Sequence, residues 1–474
     1  MEGRAEQRPS YALLLTTAAL GGVLAPLNST MLAVALPEIR GDFSVGHSAI
    51  GWLVSAYLIA MAVAQPVGGR LGDQLGRATV FRSGLVAFLV LSVAAAFAPN
   101  FGALVALRTG QALVGAAIIP NGMAMLRESV PVNKLGTSTG FTGSAISISA
   151  AVGPLLGAGL LLAGSWRLLF LMNVPLVAVA LVSQAMLRYP DARRGRAMSL
   201  DWPGALAFAA LLTMLTFLLN ALRGGVSVYL LLAAAVALVA FSAAFLRRQM
   251  TSDLPITEWR LFRSRSYSAA TGYVMLSNLV MYTTLLSIPF FVKEVQGKGD
   301  ASTGTLLASM SVLMAVIAPL AGRISDGRGR RLPTLVGSLI NLAGVTALLV
   351  GLAEGVPYGY LAVSLAVLGL GMGLSFGSAS TAAMESAPRE MAGTAAGTNS
   401  MMRYLGSIVG AGVLGAVLSS GSGAPGVETF RLMFAVLVAA AALAAACTLF
   451  IHRFPAEARE RPLEAAPSGA ELAG

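Results

Sequence analysis

GRLGDQLGR, residues 69–77, returns as GRISDGRGR at residues 322–330, with five of nine positions identical at a separation of 253. The same ungapped separation carries GPLLGAG, residues 153–159, onto GSIVGAG, residues 406–412. Two distant segments that share one offset mark a duplicated unit. Outward from these pairs, apolar runs broken by charged or Pro/Gly segments fall near 12–36, 49–70, 79–99, 102–124, 139–162 and 166–187. A second set of six lies near 268–290, 303–324, 333–352, 357–383, 394–418 and 430–452. Six spans of about 20 apolar residues with their turns need only about 190 residues, so the offset leaves room for two more spans. The runs near 203–221 and 227–246 fill that room. The fold class expected is all-α and membrane-spanning: two six-helix halves with two inserted helices, fourteen in total.

Composition supports a chain solvated by lipid. Of 474 residues, 56% are hydrophobic and 11% charged, and the mean hydropathy is +0.77. A soluble domain carries about a quarter of its residues as Asp, Glu, Lys and Arg. A large soluble domain, a nucleic-acid-binding module and a secreted enzyme are therefore excluded. The net charge of +11 follows topology: 24 Lys and Arg fall on the side of the termini, six on the other, and two inside spans. That bias places both termini in the cytoplasm. All four tryptophans, Trp52, Trp166, Trp202 and Trp259, fall at or just outside span ends, where interfacial indoles are expected. Cys447 is the sole cysteine, which leaves no intrachain disulfide and no Cys-based metal site. The apolar run after the polar first ten residues has no small-residue cleavage site behind it and reads as a retained first helix. The divisions expected are a cytoplasmic tail (1–11), an N-terminal half (12–187), an inserted segment with cytoplasmic linkers (188–266), a C-terminal half (267–453) and a disordered cytoplasmic tail (454–474).

The repeated motifs carry candidate chemistry. Residues 69–77 read as a loop between spans two and three, with Asp73 close to Arg70 and Arg77 at a cytoplasmic helix end. A carboxylate there accepts hydrogen bonds from free helix-end amides or pairs with a guanidinium, which makes it a candidate latch. Asp326 and Arg330 repeat the arrangement in the second half. In span five, Gly153, Gly157 and Gly159 are read as one small-residue face with Pro154 among them, a candidate hinge or seal.

These motifs carry a resemblance together with LNSTMLAVALP (27–37), WLVSAYL (52–58), RTGQ (108–111) with Pro120, SWRLLFLMNVP (165–175), SLDWPG (199–204) and RLFRSR (260–265). Over roughly residues 12 to 450 the chain resembles the major facilitator superfamily, and within it the fourteen-span drug:proton antiporter branch. The resemblance implies the major facilitator fold and multidrug efflux by alternating access, with proton antiport across a bacterial inner membrane. It also implies gating roles for Asp73, Arg77, Asp326 and Arg330.

The departures from that pattern concern charge. Many members of the branch carry an aspartate where this chain has Asn28, and the tetracycline-exporting relatives carry a span-five glutamate where it has Ala150. No Asp or Glu falls deep in a span, so the coupling candidates are the end groups Asp42, Asp73 and Glu128, or a protonatable substrate. Arg108 and Arg403 are inside spans, and a charge at that depth needs an interior partner. The substrate-binding set expected is Asn28, Met31, Met61, Gln65, Arg108, Gln111, Asn278, Tyr282, Met372 and Arg403. Its centre, Arg108 beside Asn28, makes the site electropositive and favours neutral or anionic amphipaths over dications. No phosphate-cradling loop, metal cluster or nucleophile with its base is present in the sequence, so neither an enzyme nor a cofactor is expected. The function expected is export of amphipathic small molecules by a monomer in the lipid bilayer. An exporter or flippase of anionic lipids or fatty acids is the alternative, and a non-transporting receptor or scaffold the alternative of another class.

Overall fold

The computed structural model describes residues 10–130, 132–187, 189, 201–221, 227–252, 259–298, 300–388, 391–418 and 425–452. The expected disordered tail and most of the inserted linkers lie outside the described residues, as do the side chains of Asp73 and Asp326. The first half comprises α1 (Tyr11–Asp42), α2 (His47–Leu75), α3 (Arg77–Ala96), α4 (Phe101–Ser129), α5 (Val132–Leu162), α6 (Arg167–Leu171) and α7 (Asn173–Met186). The inserted pair is α8 (Trp202–Ala221) and α9 (Val228–Thr251). The second half runs α10 (Arg265–Phe290), α11 (Asp300–Arg328), α12 (Arg331–Gly351), α13 (Tyr358–Glu385), α14 (Ala392–Leu418) and α15 (Val427–Thr448).

Among the described residues, thirteen spans are long and apolar enough to cross a membrane, one of them joining α6 to α7. The 31-residue α5 is a fourteenth long helix. The sixth span breaks at Met172, and α7 takes Pro175 in its first turn, where the missing amide proton costs nothing. In lipid every backbone amide needs a partner inside its own segment, which is why continuous helix follows from these runs.

The stretch 69–77 is not a loop. Residues through Leu75 complete α2, and the chain turns on Gly76 alone, at φ 97°. Gly329, 253 residues later, turns α11 into α12 at φ 85°. A left-handed backbone at both places is open to glycine at little cost, which accounts for one of the identities in the repeat.

The halves pack alike. In each, the first helix lies against the fifth (α1 on α5, α10 on α14) and the second against the fourth (α2 on α4, α11 on α13). They meet through α5 on α11 and α2 on α14. The inserted α8 covers the α2–α14 seam, with Leu219 against Gly412, and α9 lies outside it, with Phe208 stacked on Phe245 at 5.0 Å. Asp201 starts α8 by accepting from the Gly204 amide and pairs with Arg248 of α9 at 2.7 Å. Burial orders the layers: 83% of the apolar window is enclosed in α1 and α10, against 11% in α9.

Close packing of α1 on α5 runs through Gly153 and Gly157. A Cβ on Gly157 would stand 2.7 Å from the Met31 carbonyl oxygen, and one on Gly153 would strike Thr30. Gly406 and Gly410 meet α10 in the same way. Gly159 faces open space instead. The expected single face is thus corrected: four residues turn a helix back to nearly the same side, whereas two carry it to the other.

Candidate functional site

A cavity of about 130 Å³ lies at mid-depth between the halves. Its wall takes Ala25, Pro26, Ser29 and Thr30 from α1, Tyr57 and Leu58 from α2, and Ile146 and Ala150 from α5. The second half contributes Asn278, Met281 and Tyr282 from α10, Met314 and Ala318 from α11, Met372, Gly373, Phe376 and Gly377 from α13, and Arg403, Tyr404 and Ser407 from α14. On α11 and α13 the lining runs from mid-helix toward the face that carries the termini. Ser29 and Tyr282 share a hydrogen bond across the cavity, and they stand 253 residues apart, the offset of the repeat. The bond therefore joins equivalent positions of the two halves, on the axis that relates them.

Four of the expected binding residues, Asn278, Tyr282, Met372 and Arg403, are in this wall. Asn28, Met31, Met61, Gln65, Arg108 and Gln111 are buried and are not among the residues that line it. The reason is rotation about the helix axis, about 100° per residue. Ser29 faces the cavity, so its neighbour Asn28 turns to α4 and Met31 packs its backbone on Gly157.

Arg108 is consequently a tie within the first half rather than a cavity group. Its Nη1 donates to Asn28 Oδ1 and, at 2.7 Å, to Gln111 Oε1. Gln111 Nε2 in turn donates to Ser92 Oγ at 2.5 Å, which also accepts from Asn173 Nδ2 at 3.3 Å. The guanidinium carbon lies 4.0 Å from the Tyr57 ring centroid. Tyr57 thus stands on Arg108 with its own surface in the cavity wall. Tyr57, Tyr404, Ser29 and Phe376 are not among the expected residues; Ser29 and Tyr57 stand inside the motifs 27–37 and 52–58, but a motif does not show which of its residues turns to the cavity. A further signal is the separation of 253 between Ser29 and Tyr282.

The face that carries the termini holds paired charges. Arg77 pairs with Glu128 at 2.9 Å, and Tyr189 donates to the same carboxylate at 2.6 Å. Burial and that hydrogen bond push the Tyr189 phenol above the usual tyrosine range. In the second half Arg330 takes Glu385 through Nε and Nη2, the shorter contact being 2.7 Å, and donates from Nη1 to Ser325. Each pair ties the start of a half's third helix to the end of its fourth.

The opposite, far face is closed. Arg40 of α1 reaches Glu294, beyond α10, at 2.7 Å across the halves. Leu36, Ile50, Val54, Leu286, Phe290, Leu414 and Leu418 belong to one buried apolar cluster and surround a small void near it. Gly304 of α11 fits against Ala158 of α5, one turn from Pro154. Asp42 belongs to the first half: it accepts from Trp166 Nε1 at 2.7 Å and lies 3.4 Å from Arg167. Trp166 stands at the start of α6, as expected of a span end, and is fully buried there by this contact and by Phe43 and Phe170.

Two homologous six-helix halves around a mid-depth cavity agree with the comparison of the sequence itself, in which residues 18–411 match the Major Facilitator Superfamily. The chain belongs to the Major Facilitator Superfamily. Among its relatives in that superfamily, the MFS-type transporter YvkA of Bacillus subtilis is 31% identical over 91% of this chain and 94% of its own. The tetracenomycin C resistance and export protein of Streptomyces glaucescens is 29% identical over 86% of this chain and 76% of its own. A D-xylose–proton symporter shares the fold, with a TM-score of 0.66 at 14% identity over 94% of this chain and 99% of that one.

Proposed function

We propose that this major facilitator protein exports amphipathic small molecules by alternating access, loading them into the central cavity from the cytoplasm and releasing them after the halves rock. The observation that carries the reading is the cavity itself: it lies between two repeated halves, with the Arg40–Glu294 pair joining them at the far face and the lining on α11 and α13 extending toward the face of the termini. The excess of Lys and Arg on the side of the termini supports a cytoplasmic position for that face and a plasma-membrane location. An exporter among the relatives, named for tetracenomycin C, supports the direction. The wall is apolar and methionine-rich, which suits varied hydrophobic bodies.

Among the described residues that line the cavity there is no carboxylate. Any proton used in the cycle is then taken by an end group such as Asp42 or Glu128, or by the substrate. The direct test is efflux from cells with and without the chain, across anionic, neutral and cationic hydrophobic compounds. Lower retention of at least one class in expressing cells is expected. Equal retention of all of them would overturn the export reading.

A further inference from the structure

Resting on that reading of the cavity, we infer that its ligands are amphipaths with a single anionic head, a carboxylate, sulfonate or phenolate, seated on Arg403. Arg403 is the charged side chain among the described lining residues, and no carboxylate lies within ion-pairing distance of it in the described structure. Its guanidinium carbon lies 5.3 Å from the Tyr404 ring centroid. Ala150, 253 residues earlier and its equivalent in the first half, also lines the cavity and brings no charge to it.

Aromatic walls are usually read as cation sites, and here that reading fails. Arg108 already covers a face of Tyr57, and Arg403 lies beside Tyr404. A bound cation would meet two guanidinium groups across apolar walls, where repulsion is strengthened by the low dielectric. A planar anionic head instead takes paired hydrogen bonds from the guanidinium fork. Its apolar body then lies against Met281, Met314 and Phe376. The pattern is a built anion site, with one fixed positive charge facing the cavity, a second behind Tyr57, and hydrophobic surface around them.

The test is equilibrium dialysis of the purified full chain in lipid nanodiscs against three matched probes, with empty nanodiscs as the partition control. The probes are anthracene-9-carboxylate, 9-anthracenemethanol and 9-(aminomethyl)anthracene. A charge-assisted hydrogen bond at a buried site corresponds to a preference of about tenfold or more for the carboxylate over the alcohol. The ammonium probe is expected to bind more weakly than the alcohol. Arg403→Gln should abolish the carboxylate's advantage over the alcohol, with a wild-type thermal unfolding midpoint reporting that the variant is folded. Arg403→Lys should keep part of the preference. Equal affinity for all three probes, or a preference that survives Arg403→Gln, overturns the anion site and leaves the export reading standing. Failure of every probe to bind also overturns it, and the efflux assay then judges export separately.

Discussion

Gly157 and Gly159 are two residues apart on α5 and have opposite surroundings. The first has the Met31 backbone where its side chain would be, and the second has open space. Backbone cannot swing aside as a side chain can, so a branched residue at 157 must push α1 away from α5, at a cost of about 1–3 kcal/mol. Gly157→Val is therefore expected to lower the thermal midpoint of the purified protein and reduce its yield in the membrane, whereas Gly159→Val leaves both near wild type. Thermal unfolding of the two variants side by side checks this. Equal behaviour would remove the assignment of α5's packing face. Gly406, whose added Cβ would stand 2.0 Å from the Met275 carbonyl oxygen, should be as intolerant as Gly157.

Between elements, the ion pairs differ in what they hold. Arg330 and Glu385 are a two-pronged pair, 16% and 25% exposed, that ties α12 to the end of α13. Glu428 and Arg431 are neighbours on a single helix, with Glu428 82% exposed. Exposed pairs within a helix contribute only about 0.3–0.5 kcal/mol, while bidentate, partly enclosed ones fix geometry as well as energy. Glu385→Gln is thus expected to destabilise the protein measurably and to slow transport, and Glu428→Gln to do neither. A thermal scan with an efflux assay on both variants separates the cases, and an unchanged midpoint in Glu385→Gln would reduce that pair to a solvated contact. The matching Arg77–Glu128 pair shows that the repeat conserves the tie even though the two carboxylates are not at the shared offset.

At the scale of the whole molecule, the halves are held at the far face by Arg40 and Glu294 and rest against one another at Ala158 and Gly304. Alternating access requires that this face part. A bis-maleimide bridge between Arg40→Cys and Glu294→Cys, in a chain whose sole cysteine has been changed by Cys447→Ser, is expected to abolish transport while ligand still enters from the face of the termini. Transport by the bridged protein at the rate of the unbridged one would show that the far face does not open. The inserted α8 covers one seam, α2 on α14, and leaves α5 on α11 without it, so the two sides of the molecule differ despite the repeat.

Much of this was already determined by the sequence. The number of long apolar helices, the duplication, the inserted pair and the excess of basic residues beside the termini depend on local composition and on a separation that can be counted along the chain. A span needs only enough apolar residues in a row. The facing of each residue was decided by tertiary structure. Arg108 and Arg403 look alike in the string, each a charge at membrane depth, yet one is locked behind Tyr57 by Asn28 and Gln111 and the other lines the cavity. Asn28 and Ser29 are adjacent, and one rotation of about 100° sends them to different neighbours. Inner helices such as α1 and α10 are buried on nearly every side and touch several partners, with their polar residues spread around the axis, so no single polar face shows which way they turn. Only the packing of the neighbours, through Gly153, Gly157 and their repeats, fixes that angle and with it the chemistry of the cavity.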